Sequence, residues 1–479
     1  MRILENIEPK EVWYWFEEIS RIPRPSGEEE KIADFLVEFA RKRNLEYSRD
    51  DVNNVLIRAA GSGRAADNPG LVLQAHVDIV PEKTDESTHD HSVDPIIPVI
   101  RGDWVVSPDT TLGADNGIGV ALMLAVLDSQ CAHPPLECLF TTDEERGLTG
   151  ADSLRSEWIN FRRLINLDSE DEGVFTIGCA GGMDIHLSMP VVRSGPVDCY
   201  SLEISGLKGG HSGMEIDKNR GNAIRILGRI LRKLCMDYSC RIAGVSGGTK
   251  RNAIPRNASA LIHFPDDDSD PAKEYLNRVS EEIALEYSGI EDGILIRMKN
   301  ESAGIGALDC ETGLRIADLL LALPHGVEKN SGVIKGLVET SVNMAIVSMS
   351  DEEFNVELTV RSPLASAKKA LGDRIAAVAR LSGCSFSTGG SYPGWIPDSN
   401  STLLAKLIEI YTEVSGRKPE VESVHAGLEC GIIGERIGNM DMISMGPDIR
   451  DVHIPGERAS ISSLQRFWKF FLYLLETLD

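Results

Sequence analysis

Leu71-Val72-Leu73-Gln74-Ala75-His76-Val77-Asp78 is the stretch on which the fold turns. Its first five residues are almost wholly apolar and leave no polar face, the pattern of a strand buried on both sides in a parallel sheet. The strand then runs straight into a histidine and an aspartate. Two other apolar segments end alike: Leu136–Thr141 passes into Thr142, Asp143, Glu144 and Glu145, and 164–167 passes into Asp168. Residues 54–58 read as a further strand and 117–127 as a helix. Strands alternating with helices predict an α/β layer around a largely parallel sheet. Ligands of open α/β sheets bind beyond the carboxyl ends of the strands, so independent strands deliver metal-type ligands to one edge.

Upstream, 9–20 reads as a helix. A second begins at Ser26-Gly27-Glu28-Glu29, which fits a capping box, with Ile32, Phe35, Leu36 and Phe39 on one face behind it. Downstream of Gly181-Gly182 the pattern changes. Strands at Cys199–Ser205 and 258–264 alternate with helices at 222–235 and 272–287. A helix at 314–322, strands near 341–349 and 353–360, and a helix at 365–381 follow in similar order. Hairpin followed by helix thus occurs twice, which suggests a duplicated βαββαβ-like α+β domain. Near Ser391-Tyr392-Pro393-Gly394 the chain leaves this domain, and a helix at 402–414 resumes the first layer. The expected architecture is one discontinuous α/β domain (1–183 and 391–479) with an α+β lid domain inserted at 184–390.

Composition narrows the function. The 479 residues, 42% hydrophobic, favour two or three domains. A net charge of −25, from 49 basic and 74 acidic residues, repels phosphate backbones and anionic lipid, so no nucleic acid or membrane partner is expected. Nine cysteines scattered without a CxxC pair fit reduced thiols in the cytoplasm. The first residues carry acids and no apolar core of a signal peptide. No apolar run approaches the length of a bilayer span.

Each candidate site residue has a plain reading beside a chemical one. His76-Val77-Asp78 sets His and Asp on one side of an extended segment; Asp78 either binds metal or holds the imidazole of His76, as a metal-bound histidine requires. Asp115, in Thr111-Leu112-Gly113-Ala114-Asp115-Asn116-Gly117, is a helix cap or a carboxylate whose two oxygens serve two cations. A phosphate cradle is a third reading of this Gly-rich turn, but its spacing matches no phosphate motif and it holds no basic residue. Asp143-Glu144-Glu145 is a solvated loop, or a pair of jobs: one Glu on metal, the other as general base. Asp168 closes a strand. His453, in Asp451-Val452-His453-Ile454-Pro455-Gly456-Glu457, and His211, in Gly209-Gly210-His211-Ser212-Gly213, would each pass alone for surface residues. Taken together, His76, Asp115, Glu145, Asp168 and His453 are the mixture of His and carboxylate that a two-metal site needs. Nitrogen and oxygen donors without thiolate fit Zn2+, with Mn2+ or Co2+ as alternatives.

The order of these motifs is itself informative. QAHVDIV, TTLGADNGIGVA, FTTDEERGLTGA, LINLDSE, GLKGGHSG, RNAIP and DVHIPGE together resemble the co-catalytic zinc aminoacylase/carboxypeptidase-like superfamily along nearly the whole chain. LINLDSEDEGVFTIGCAGG, SYPGWIPDS and HAGLECGII resemble its aminoacyl-histidine dipeptidases (Xaa-His dipeptidases, M20 peptidases). That resemblance implies two zinc ions per chain: His76 and Asp168 on one, Glu145 and His453 on the other, and Asp115 bridging. It implies Asp78 as the residue orienting His76, and Glu144 as the general base that passes a proton from the attacking water to the leaving amine. His211 would hydrogen-bond the oxyanion, and Asn252 and Arg361 would contact substrate, with Arg361 suited to grip the free carboxylate of a dipeptide. The expected substrates are small peptides, Xaa-His dipeptides such as β-Ala-His among them. One departure stands out: His453 is followed by Ile-Pro-Gly-Glu, where much of the superfamily has Ser-Pro. An aminoacylase or carboxypeptidase with the same metal site, and a non-catalytic peptide-binding protein, are the rival readings; the second predicts loss of Glu144, which is present. Monomer and homodimer both stay open.

Overall fold

The computed structural model describes residues 2–265, 269–301, 304–332 and 334–479. The chain forms two compact units. The first comprises Met1–Cys179, Trp395–Ser423 and Leu428–Asp479; the second comprises Ala180–Gly394 and the four residues Val424–Gly427.

The first unit is an α/β layer on an eight-stranded sheet. Its four central strands, Leu136–Thr141, Leu71–His76, Arg163–Asn166 and Asp441–Ser444, lie side by side and parallel. Every residue of Leu71–His76 and of Leu136–Thr141 is buried, as the apolar runs predict for strands covered on both faces. Complete burial of a residue such as Leu73 stabilises the fold by about 1.5–3 kcal/mol. The helix Ala114–Asp128 is apolar all round and almost wholly buried, the state such a composition requires. Its first turn is irregular: Asp115 and Asn116 lie outside helical backbone angles, so the regular helix starts at Gly117. The closing helix Ile461–Thr477 packs Leu464, Phe467, Phe471 and Leu474 into the same core at helical spacing.

The second unit is an antiparallel sheet covered by helices, and it resolves the repetition seen in the sequence. One copy runs Cys199–Ser205, helix Ala223–Asp237, Arg241–Gly247, Ala258–His263, helix Ser269–Glu286, Leu295–Glu301. The other runs Gly181–Pro190, helix Cys310–Ala322, Val338–Met349, Glu353–Ser362, helix Ala365–Ser382, Ser385–Tyr392. Each copy is βαββαβ, and in each the strands lie in the order fourth, first, third, second. The first copy is inserted whole between the first strand and first helix of the second. The two second strands meet at Gly247 and Val347, which joins the copies into one sheet. Ala258–His263 alternates buried and partly buried residues, as a strand with one covered face should.

Among the described residues no helix is long and apolar enough to cross a membrane. All nine cysteines are free.

Candidate metal centre

The predicted ligands of the first unit converge at the carboxyl ends of the central strands. His76 is the last residue of its strand, and Asp78 follows two residues on, fully buried. His76 Nδ1 lies 3.1 Å from the Asp78 carbonyl and 3.4 Å from its Oδ1. The Asp78 carboxylate also accepts the backbone N–H groups of Glu144 at 3.1 Å and Glu145 at 3.2 Å, and the Ser26 hydroxyl at 2.7 Å. One residue therefore lies against the imidazole, by its carbonyl and its carboxylate, and its carboxylate anchors the turn that carries both glutamates.

This corrects the reading of Ser26-Gly27-Glu28-Glu29 as a capping box. The helix begins at Glu30 without a side-chain cap. Ser26 serves Asp78, and Glu29 accepts the N–H groups of Gly27 and Asp143 at 2.7 and 3.1 Å. A hydroxyl that could have capped a helix is taken by a buried carboxylate, whose unmet hydrogen bonds cost more than those of a solvated helix end.

Two triads share Asp115. In one, His76 Nε2 lies 3.0 Å from Asp115 Oδ1 and 3.4 Å from Asp168 Oδ1. In the other, His453 Nε2 lies 3.1 Å from Asp115 Oδ2 and 2.9 Å from Glu145 Oε1. Each triad keeps its donor atoms within 4.8 Å of one another, and a third group joins His76, Glu144 and Glu145. The two oxygens of Asp115 thus face two different histidines. His453 adopts a left-handed backbone, with φ of 61°, a conformation that surrounding structure must hold in place.

The electrostatics ask for cations. Burial raises the carboxyls of Glu145 and Asp168, and raises Glu144 well above the usual range. Burial opposes charge on the histidines too, yet bonds to Asp115 and Glu145 push His453 up to about 11, and Asp168 with Asp115 raises His76. Glu145 Oε1 is buried, with the His453 imidazole 2.9 Å away. Crowded carboxylates facing two imidazoles, with all donors nitrogen or oxygen, fit divalent metal ions.

Behind the ligands lies a fully buried polar row that the sequence reading missed. Asn166 Nδ2 donates to Gln74 Oε1 at 2.6 Å; Gln74 Nε2 donates to Glu429 Oε2 at 2.6 Å, and Thr141 Oγ1 to the same oxygen at 2.8 Å. Gln74 within an otherwise apolar strand was the available signal. Arg24 and Glu457, likewise buried, gave none beyond their charge.

The remaining predicted residues belong to the second unit. His211 Nδ1 accepts the N–H groups of Gly213 and Met214, at 3.3 and 3.0 Å, which leaves the ring proton on Nε2. Burial and the nearby Arg361 hold its pKa below the usual value, so it is a neutral donor. Asn252 is exposed; its carbonyl accepts the Ser212 N–H at 2.8 Å. Arg361 is 7% exposed, donates to the Tyr392 hydroxyl at 3.0 Å, and leaves Nε without a hydrogen bond. Ser341, Arg361, Gly182 and Tyr392 stand opposite one another on four adjacent strands. Gly182 is required there, since a Cβ would meet the Tyr392 ring at 2.4 Å. His425, not foreseen, bonds Ser341 Oγ at 2.7 Å, and burial with Arg361 pushes its pKa down to about 4.

Comparison with known proteins accords with this layout. Residues 202–291 match the family model described as a peptidase dimerisation domain, and 54–178 match that of peptidase family M28. The chain is 39% identical to the cytosol non-specific dipeptidase of Escherichia coli (strain K12) over 484 residues, covering 99% of each. It superposes on the crystal structure of an aminoacylhistidine dipeptidase from Vibrio alginolyticus with a TM-score of 0.90 at 37% identity, covering 99% of this chain and 97% of that one. A tripeptidase from Staphylococcus aureus, 17% identical with a TM-score of 0.57 over 98% of each chain, shares the fold. The two triads sit within a chain alike from end to end to such enzymes, and it belongs to the M20 metallopeptidase family as a metal-dependent dipeptidase.

Proposed function

We propose that the chain hydrolyses dipeptides at a dinuclear zinc site, with Xaa-His dipeptides such as β-Ala-His among its substrates. The observation that carries this is Asp115, whose two oxygens face His76 with Asp168 on one side and His453 with Glu145 on the other. His76 and Asp168 would hold one ion, Glu145 and His453 the second, and Asp115 would bridge. When bound, the ions supply a water acidic enough to react near neutral pH and polarise the scissile carbonyl.

The chain's own residues do the rest. Asp78 holds His76 and fixes the Glu144–Glu145 turn. Glu144, adjacent to a ligand and itself outside both Asp115-centred triads, takes the proton of the attacking water and gives it to the leaving amine. His211 offers its Nε2–H to the oxyanion. Arg361 grips the free carboxylate of the substrate, a role supported by its burial without an ion-pair partner among the described residues. Asn252, next to the His211 strand, contacts the substrate. The name of the E. coli relative and the nine free cysteines support a cytosolic enzyme.

The test is a panel of β-Ala-His, Gly-His and Leu-Gly, with N-acetyl amino acids alongside, after chelation and again after zinc restoration. Zinc-restored cleavage of the dipeptides is expected. Cleavage of the acetylated amino acids alone would turn the reading to an aminoacylase.

A further inference from the structure

Two buried charges lie behind the ligands without belonging to them. Arg24 is 1% exposed and Glu457 2% exposed. Arg24 Nη1 donates to the Val77 carbonyl at 2.6 Å, and Nη2 to the Gly113 carbonyl at 2.8 Å. Val77 stands between His76 and Asp78; Gly113 stands two residues before Asp115. Glu457 accepts four successive backbone N–H groups: Leu112 at 2.7 Å and Gly113 at 2.9 Å on one oxygen, Ala114 at 2.7 Å and Asp115 at 3.1 Å on the other. It lies four residues beyond His453.

Gly113 is therefore held from both ends, its N–H by Glu457 and its carbonyl by Arg24. Its φ is +68°, and a Cβ there would meet Ile79 Cγ2 at 2.7 Å and Arg24 Nη2 at 3.0 Å. Only glycine suits the position. Burying two charges is costly unless each is hydrogen-bonded, and here both are committed to backbone groups of the segments that carry the candidate ligands. What the two do achieve is specific: they tie 76–78, 112–115 and 453–457, three segments distant in sequence, through one turn. Each of those segments bears a ligand, and the middle one bears the aspartate common to both triads.

We propose that Arg24 and Glu457 are positioning residues that hold His76, Asp115 and His453 in register for metal binding, with the Gly113 peptide as their shared link. This rests on reading the five residues as a metal centre. Displacement of the 112–115 turn moves Asp115, so loss of either charge weakens both metal positions.

The experiment uses the full chain, stripped with chelator, as wild type and as Arg24→Met, Arg24→Lys, Glu457→Gln and the Arg24→Met/Glu457→Gln double variant. Zn2+ affinity is read by competition with a chromophoric chelator, coordination geometry by the visible spectrum after Co2+ loading, and folding by circular dichroism and Tm without metal. Arg24→Met and Glu457→Gln are each expected to lower Zn2+ affinity roughly 10–100-fold, the range for partners that orient metal ligands, and to alter the Co2+ spectrum. Lysine reaches one carbonyl instead of two and should fall between. The double variant should lose little more than the worse single one, because both act on one turn. Folded variants with wild-type affinity and spectrum would overturn the proposal, and so would a fall in Tm alone, which assigns the pair to packing. Should Arg24→Met not fold, Arg24→Lys and Glu457→Gln decide the same question. Wild-type protein that takes up neither Zn2+ nor Co2+ would instead sink the metal-centre reading, and this inference with it.

Discussion

Each unit holds a cluster of buried charge, and the two clusters differ in sign. In the first, Asp115, Glu144, Glu145 and Asp168 crowd around two histidines, and burial lifts three of the four carboxyls above their usual range. In the second, the Arg361 guanidinium is buried with no ion-pair partner among the described residues, beside the Tyr392 hydroxyl and near two histidines that burial and Arg361 itself hold below their usual pKa. A buried charge without a counterpart is unstable unless something supplies one. The first cluster suits cations and the second an anion; under the proposed function these are the metal ions and the free carboxylate of the substrate.

The sharpest way to break the comparison is at Glu144, which the proposed function uses as the base and not as a metal ligand. Glu144→Ala should lower kcat about 10²–10⁴-fold, with zinc content and KM near wild type; a variant that turned over normally would end its role as base. Next comes the second unit. Arg361→Met should reduce kcat/KM for free dipeptides about 100-fold, as truncation of a buried charged partner does, and change cleavage of dipeptide amides little. Equal losses on acid and amide would show that Arg361 does not read the carboxylate. Metal removal should abolish activity, and zinc restored to 100 times its Kd should stabilise the folded protein by about 2.7 kcal/mol per site, seen as a higher Tm. A Tm indifferent to zinc would refute the account of the acid cluster.

The smallest effect is the most diagnostic, because its sign differs between units. His425 has a pKa of about 4 in place of the usual 6.5. As pH falls the unfolded chain takes up that proton first, so the stability His425 contributes is present above 6.5 and lost toward about 4. Glu429 is pushed by burial from the usual 4.5 up to about 8. Here the unfolded chain releases its proton first as pH rises, so stability is present below 4.5 and lost toward about 8. Each slope is about 1.4 kcal/mol per pH unit at most. Hydrogen exchange on metal-free protein, compared with His425→Gln and Glu429→Gln, should show protection falling on acidification in the second unit and on alkalinisation in the first. Slopes of the same sign would contradict the contrast.

The strands of the first unit were legible because burial on both faces leaves an unbroken apolar run, and the candidate ligands His76, Glu145 and Asp168 because such runs end in His, Asp and Glu, whereas Asp115 and His453 lie in turns and gained weight only beside them. The repeated order in the second unit was legible as hairpin followed by helix, although no residue-level repeat announced it. What the sequence hid are partners whose role is to satisfy other groups. Ser26 looked like a cap because capping and serving Asp78 demand the same hydroxyl. Arg24, Glu457 and Glu429 read as ordinary charges, since nothing local separates a charge bound for solvent from one bound for the interior. His425 lies in a four-residue excursion, Val424–Gly427, that joins the second unit from within the first unit's sequence, and no local pattern predicts such a crossing.

The nesting of one βαββαβ copy inside the other also orders events during synthesis. The inner copy, from Cys199 to Glu301, has all its strands in one stretch and can pair as it leaves the ribosome. The strand Gly181–Pro190 emerges before it, yet its neighbours Glu353–Ser362 and Ser385–Tyr392 follow only after the inner copy is complete. At about 5–20 residues per second, that strand waits roughly 10–30 s with both edges unpaired. An unpaired edge of that kind invites chaperones and misplaced partners, so the earliest-made strand of this unit is the one most exposed to error while the chain is being born.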